Sequence, residues 1–268
     1  MSPPTALFLS PHLDDVAFSC GGTVARLAAL GWRCVVATVF TRSVSGSTGF
    51  ALACQLDKGL PAEADYMAIR RDEDRAFAAA VGAETDWLDL PEAPHRGYAS
   101  AQALFGPPRE DDGVGPDVEA AIAEAIRRCA PAHVFAPLGL GGHVDHRHVA
   151  LAVRRGVRSA PVAWYRDAPY ALRTGAGAAD AASAVSLDAA ALAAKLAGCA
   201  AYRTQLAFQW GGVAAMRAAL ADYAVAEARV AGVAAGGRAE RFAGTVPAAV
   251  ALSAVRTGWK LSAEAIGQ

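Results

Sequence analysis

Short apolar runs alternate with stretches of helical periodicity along the first 170 residues of the chain. Five short runs, bounded by Pro, Gly or polar residues, have the length and composition of buried strands. These predicted strands are residues 6–9, 35–40, 85–88, 134–137 and 162–165. The segments between them repeat their apolar residues at helical spacing, which is typical of helices packed on one face. These predicted helices are residues 23–30, 63–81, 117–129 and 146–158.

The alternation of strands and helices predicts the fold class. Such a chain forms a Rossmann-like, mostly parallel sheet with helices on both faces, an α/β arrangement of three layers, α/β/α. After residue 183 the chain is rich in alanine and predicts helices at 187–205 and 213–231, with a few short strands. We expect one domain over residues 1–268. The Gly/Ala-rich stretch 175–182 is the best candidate for a domain boundary, but it is too weak a linker to predict a second domain.

Three connections stand out between these elements. Residues 41–49 are rich in Ser and Gly and predict a loop, and residues 91–116 are rich in Pro, Gly and charge and predict a long surface loop. The pair Gly21-Gly22 predicts a tight turn that leads into the first helix. A phosphate-binding loop is the weaker interpretation of this pair, because the three glycines of a dinucleotide fingerprint do not follow the first strand.

Composition and charge exclude several classes of protein. Apolar residues make up 54% of the chain and charged residues 19%, which is typical of a globular protein. The net charge of −1 gives no reason to expect nucleic acid or a membrane surface as a partner, and no apolar run is long enough to span a bilayer. Five widely spaced cysteines and the absence of Lys or Arg before Arg26 predict a cytoplasmic protein with reduced thiols.

Two clusters of histidine and carboxylate follow two of the predicted strands. Residues 10–15 read SPHLDD, and residues 141–146 read GGHVDH. In an open parallel sheet, ligands bind beyond the carboxyl ends of the strands. We therefore expect the two clusters to meet at one edge of the sheet and to form one site, although they are far apart in the sequence.

The first cluster predicts a divalent metal with a base beside it. A catalytic zinc takes three protein ligands and leaves one position for water, and His12 with Asp15 and a distant histidine would supply such a set. The adjacent carboxylates Asp14 and Asp15 repel each other when they are buried together, and a metal relieves this for one of them. The other carboxylate can then act as a base toward water.

The second cluster could supply the distant histidine ligand and a group that faces the substrate. His143 and His146 are three positions apart at a predicted helix start, so they could face the same way, one as a ligand and one toward the substrate carbonyl. Asp145 could orient a neighbouring imidazole. An iron oxygenase with two histidines and one carboxylate fits less well, since no histidine follows His148. A non-catalytic sugar- or nucleotide-binding protein would have lost a ligand or the base, and both are present.

These residues resemble a known family. The sequence PHLDD at 11–15 followed by Gly21-Gly22, and HVDH at 143–146, resemble the two signature motifs of the PIG-L/LmbE-like de-N-acetylases. The resemblance extends to RRDE at 70–73 and YRDAPY at 165–170, and further to residues 195–205 and 239–242. It therefore covers most of the chain, with the catalytic motifs within residues 1–170.

The resemblance implies a metal-dependent deacetylase, a hydrolase that removes an N-acetyl or other N-acyl group from an amino sugar or its conjugate. It implies that His12, Asp15 and His146 bind Zn²⁺, with another divalent metal such as Fe²⁺ as the alternative. Asp14 corresponds to the general base that activates the water. An alternative is a related metal amidohydrolase that acts on a non-sugar amide conjugate.

The resemblance also implies roles in the second motif. A protonated His143 would stabilise the oxyanion or aid the leaving amine, and Asp145 would hold His143 in position. The chain departs from the family pattern at Leu13 and Val16, where Pro and Glu are common, but neither position is a ligand. Some members carry a tyrosine where this chain has Gly141, so this chain lacks at that position the side chain that a tyrosine-assisted mechanism requires.

Substrate contacts are expected near the same edge of the sheet. Arg70 matches an arginine that contacts the substrate in family members. Asp89, Glu92 and His95 follow the third predicted strand and could bind sugar hydroxyls. We expect a small, soluble N-acylated sugar or conjugate as partner, with no nucleic acid and no membrane, and a homo-oligomer is compatible with the sequence.

Overall fold

The computed structural model describes residues 2–173 and 182–252. Strands in these ranges form one sheet. They are β1 (Thr5–Ser10), β2 (Arg33–Phe40), β3 (Ala83–Leu90), β4 (His133–Pro137), β5 (Val162–Tyr165), β6 (Ser183–Ser186) and β7 (Ala239–Gly244). Their order is β3-β2-β1-β4-β5-β7-β6. Strands β1 to β5 pair in parallel, and β7 is antiparallel to both β5 and β6. The expected mostly parallel sheet is therefore confirmed.

Helices connect the strands and cover both faces of the sheet. They are α1 (Asp15–Ala29), α2 (Gly49–Leu56), α3 (Tyr66–Val81), α4 (Ala101–Leu104), α5 (Gly115–Cys129), α6 (Val144–Gly156), α7 (Tyr170–Arg173), α8 (Ala189–Cys199), α9 (Arg203–Trp210) and α10 (Val213–Val230). A single 3₁₀ turn lies at Ala93–Arg96. Every helix in the described ranges is too short or too polar to cross a bilayer.

Strand β1 shows why the fold has three layers. All six of its residues are buried, because both faces of the sheet are covered. Ala6 and Phe8 join an apolar core with residues of α1, α3 and α8, whereas Leu7 and Leu9 join a second core with residues of α5 and α6. The two-residue period of the strand thus divides the hydrophobic core into two halves.

Helix α1 corrects one sequence prediction. It begins at Asp15, two turns earlier than expected, and Gly21-Gly22 lie inside it just after a kink at Cys20. The pair is therefore not a tight turn before the helix. At Gly22 the helix needs a residue without a side chain, because Leu187 and Glu240 pack against its backbone, and the Glu240 carboxylate accepts a hydrogen bond from the Gly22 N–H at 3.1 Å.

The helix expected in the alanine-rich half of the chain is divided in two. The helix expected at 187–205 is two helices, α8 and α9. The Glu73 carboxylate accepts hydrogen bonds from Thr204 N and Oγ1 at the start of α9.

Helix α2 was not predicted from the sequence. The expected surface loop after β3 contains a buried residue, Tyr98. The stretch 175–182 falls almost wholly outside the described residues, and the single domain stays a prediction.

Gly22→Ala is expected to reduce the free energy of unfolding by about 1–3 kcal/mol through overpacking. The added Cβ would lie 2.7 Å from Leu187 Cδ1 and 3.0 Å from Glu240 Oε1. Urea denaturation measures the effect. Gly156→Ala is the matched control, since it also lies in a helix but has no atom within 4 Å of the added Cβ. Equal effects of the two substitutions would contradict the packing explanation.

Candidate active site

Neighbouring strands bring the two clusters together. Strands β1 and β4 are adjacent and parallel, so the segments that follow them leave the sheet at the same edge. The ring centroid of His12 lies 5.0 Å from that of His143 and 5.4 Å from that of His146. The residues of both clusters therefore form one buried site, as the topology argument led us to expect.

Three donor atoms converge within this site. Asp15 Oδ2 lies 3.3 Å from His12 Nδ1 and 3.3 Å from His146 Nε2. The buried His146 Nε2 has no hydrogen-bond partner among the described residues. Leaving a buried polar atom unpaired is costly, so this orphaned nitrogen fits a position that a cation completes. Two nitrogens and one carboxylate oxygen are a donor set that zinc accepts.

Two further carboxylates hold the imidazole rings. Asp145 Oδ2 lies 2.9 Å from His12 Nε2, and Asp167 Oδ1 lies 2.7 Å from His146 Nδ1. Each ring thereby keeps its other nitrogen toward Asp15, which is the usual arrangement around a metal. Asp167 was not singled out from the sequence. Its place directly after strand β5, at the same edge of the sheet, is the signal that could have found it.

The position of Asp145 corrects an expectation. Its carboxylate was expected to hold His143, but it holds His12 instead, and the Asp145 backbone N–H donates to His143 Nδ1 at 3.2 Å. The reason is that His143 is the N-cap of α6, so its ring accepts a hydrogen bond from the free N–H of the first turn.

His143 therefore differs from the other two histidines of the site. With Nδ1 accepting a hydrogen bond, the ring of neutral His143 carries its proton on Nε2. Burial lowers the pKa of His143 to about 3, although the Asp145 carboxylate opposes this. The expected protonated His143 is thus a neutral imidazole that can donate a hydrogen bond from Nε2.

Asp14 is clamped by two side chains. Arg70 Nη2 donates to its Oδ1 at 3.1 Å, and Gln209 Nε2 donates to its Oδ2 at 2.8 Å. Burial raises the pKa of Asp14, and the charge of Arg70 opposes that shift. Gln209 was missed because it lies on α9, in the alanine-rich half of the chain where no motif pointed to it.

Of the three expected substrate contacts, Arg70 and His95 line the cavity at the site, and Asp89 does not. Asp14, His143 and Arg70 line a cavity of about 260 Å³, and so does His95. The Arg70 guanidinium is also paired with Glu92 Oε1 at 2.5 Å, so it is held within the wall of the cavity. Asp89 does not line the cavity. Its side chain is 70% exposed and pairs with Arg42, because a backbone φ of 55° at Asp89 turns the chain outward at the end of β3.

Gly141 and Tyr170 share one space beside the site. A Cβ on Gly141 would lie 2.5 Å from Tyr170 Cγ. The Tyr170 ring packs edge-on against His146, with 5.5 Å between the ring centroids, and lines the cavity. The region that a side chain at position 141 would enter is therefore filled by a tyrosine from α7.

Comparisons with known proteins identify the family that the chain matches. A family model described as PIG-L, GlcNAc-PI de-N-acetylase, matches residues 7–157, more than half of the chain. A 2'-N-acetylparomamine deacetylase of Streptomyces fradiae is 41% identical over 169 residues, which cover 62% of this chain and 57% of that protein. A 2'-N-acetylparomamine deacetylase of Niallia circulans is 31% identical over 186 residues, covering 61% of this chain and 66% of that protein. The chain thus spans less than two thirds of the length of either relative.

Solved structures show the same fold. The crystal structure of a deacetylase from the biosynthesis of teicoplanin superposes with a TM-score of 0.75 at 22% sequence identity. The match covers 90% of this chain and 98% of that one. At this level of identity the likeness concerns the fold, and it confirms the α/β architecture.

Gly141→Ala is expected to destabilise the protein more than Gly139→Ala. Both glycines have a positive φ, 80° and 88°, so both substitutions carry a backbone cost of about 1–2 kcal/mol. Only at position 141 would the Cβ also collide with an aromatic ring, that of Tyr170, which adds about 1–3 kcal/mol. Urea denaturation of both variants measures the difference. Identical losses would show that Tyr170 moves aside without cost.

Proposed function

The chain belongs to the PIG-L family, and from this premise we propose that it is a zinc-dependent hydrolase that removes an N-acetyl group from an amino sugar or an amino-sugar conjugate. The observation that carries the proposal is the orphaned His146 Nε2, which faces Asp15 beside the clamped carboxylate of Asp14. The two relatives named above are both 2'-N-acetylparomamine deacetylases, which supports the same reaction.

The proposed metal ligands are His12, Asp15 and His146. Their donor atoms lie within 4.8 Å of one another and combine imidazole nitrogen with carboxylate oxygen. This donor set suits Zn²⁺, and Fe²⁺ is the alternative that metal analysis would distinguish. A divalent cation held there supplies a Lewis acid for the acyl carbonyl and for the attacking water.

The residues around the ligands divide the remaining work. Asp14 takes the proton from the water that attacks the acyl carbon, and Arg70 and Gln209 keep its two oxygens in place. His143 donates a hydrogen bond from Nε2 to the oxygen on which negative charge develops. When the C–N bond breaks, Asp14 passes that proton to the leaving nitrogen, which gives the free amine and acetic acid, and the acid then loses its proton to solvent as acetate.

We also propose that the enzyme acts on a small molecule in the cytoplasm. All five cysteines are free, which supports a reducing compartment.

The lining of the cavity supports a small substrate that contains a sugar. His95 and aromatic residues such as Tyr66, Phe105 and Phe208 line the cavity beside Asp14. Aromatic side chains pack against sugar rings, and polar groups hold the sugar hydroxyls.

Asp14→Asn is expected to lower kcat by about 10²–10⁴-fold, because the carboxylate that takes the proton is lost. Zinc content should stay unchanged, since Asp14 is not one of the proposed ligands. Acetate release from a panel of N-acetylated amino sugars and metal analysis measure the two effects. Asp89→Asn is the control, because that exposed carboxylate lies outside the cavity. An Asp14→Asn enzyme with unchanged kcat would rule out the proposed base.

His146→Ala is expected to abolish stoichiometric zinc binding, and Asp167→Asn to weaken it about 10- to 100-fold through loss of the carboxylate that orients His146. Chelator competition followed by elemental analysis measures both. Zinc bound with unchanged affinity in His146→Ala would contradict the proposed ligand set. Zinc binding without acetate release from any sugar would leave the metal site standing and favour a non-sugar amide as substrate.

A further inference from the structure

A chain of buried hydrogen bonds connects the segment between β3 and α5 (residues 91–114) to the proposed metal site. Arg96 Nε and Nη2 each donate to an oxygen of Asp112 at 3.0 Å, and Nη2 also donates to Asp145 Oδ1 at 2.8 Å. The other oxygen of Asp145 lies 2.9 Å from His12 Nε2. One guanidinium thus joins a carboxylate of the segment to the carboxylate that holds a proposed ligand.

The side chains that form these hydrogen bonds are buried, so another residue cannot easily take the place of Arg96. The side chains of Arg96, Asp112 and Asp145 are 8%, 1% and 0% exposed. Arg96 pairs with two buried carboxylates at once, and removing one partner of a buried charge pair is strongly destabilising. Lysine cannot reproduce the contact, since it lacks the planar fork that reaches two carboxylates at once.

The same hydrogen bonds determine which ring nitrogen of His12 carries the proton. To bind a cation through Nδ1, His12 must carry its proton on Nε2, and Asp145 Oδ2 is the acceptor that keeps it there. Arg96 holds Oδ1 of that carboxylate, and the Ala93 N–H donates to Oδ2 at 3.2 Å. Apart from His12 itself, these two donors to the Asp145 carboxylate both come from the segment, so the folding of the segment and the orientation of His12 depend on each other.

The segment also forms part of the cavity. Pro94, His95 and Phe105 lie within residues 91–114 and line the space next to Asp14. We propose that Arg96 is a positioning residue that couples zinc binding at His12 to the order of this cavity wall. The coupling is reciprocal, so a formed wall strengthens zinc binding, and bound zinc stabilises the wall. The inference rests on the proposed zinc site.

Arg96→Gln tests the coupling, with Arg109→Gln as its matched control. Arg109 lies in the same segment and also pairs with a carboxylate through two nitrogens, Nε and Nη2 to Asp111, but its side chain is 43% exposed and makes no contact with Asp145. We expect Arg96→Gln to weaken zinc binding about 10- to 100-fold in chelator competition. Zinc should slow amide hydrogen exchange of residues 93–112 in the wild type and in Arg109→Gln, but not in Arg96→Gln.

Arg96→Lys covers the case in which Arg96→Gln does not fold, as judged by circular dichroism. It keeps the charge but can pair with only one carboxylate, so an intermediate loss of zinc affinity is expected. Unchanged zinc affinity in the folded variant, even with faster exchange of the segment, would overturn the proposal and leave Arg96 a merely structural role. A wild-type protein that binds no zinc would overturn the proposed function itself, and this inference with it.

Discussion

Four buried carboxylates at one edge of the sheet set the constraint on which the rest of the structure depends. Asp14, Asp15, Asp145 and Asp167 are all 6% exposed or less. Like charges buried side by side must each find a donor or a cation. The donors come from α3, α9, the segment 91–114 and the loop after β4, so the requirement for pairing fixes how these distant elements pack.

The helix that carries two of these carboxylates is itself held by the last strand of the sheet. Glu240 on β7 accepts hydrogen bonds from the N–H groups of Gly22 and Thr23, which follow the kink at Cys20 in α1. Lys195 on α8 donates to the same carboxylate at 2.7 Å and offsets its charge. The alanine-rich half of the chain therefore positions Asp14 and Asp15 although it supplies none of the proposed metal ligands.

The sequence predicted the architecture and the two clusters because both leave a local pattern. A buried strand shows as an apolar run, and a cluster shows as adjacent polar residues after that run. The partners Gln209, Arg96 and Glu240 leave no such pattern, since each is a single polar residue whose target is remote in the chain. Asp89 was expected to contact the substrate, and its exposed position could not be predicted for a related reason. Asp89 was expected just after the third strand, whereas it lies inside β3, and its positive φ, which turns the side chain to solvent, is not visible in the sequence.

The three histidines of the site show how one residue type takes different roles through its second hydrogen bond. His12 and His146 each face a carboxylate with one nitrogen, which makes the other nitrogen a better donor to a cation. His143 instead faces a backbone N–H at a helix start, which fixes its proton on the opposite nitrogen and favours the neutral ring. Exchanging these environments would exchange the roles we propose. The division between metal ligand and hydrogen-bond donor therefore follows from what Asp145 offers to each neighbour: its carboxylate to His12 and its N–H to His143.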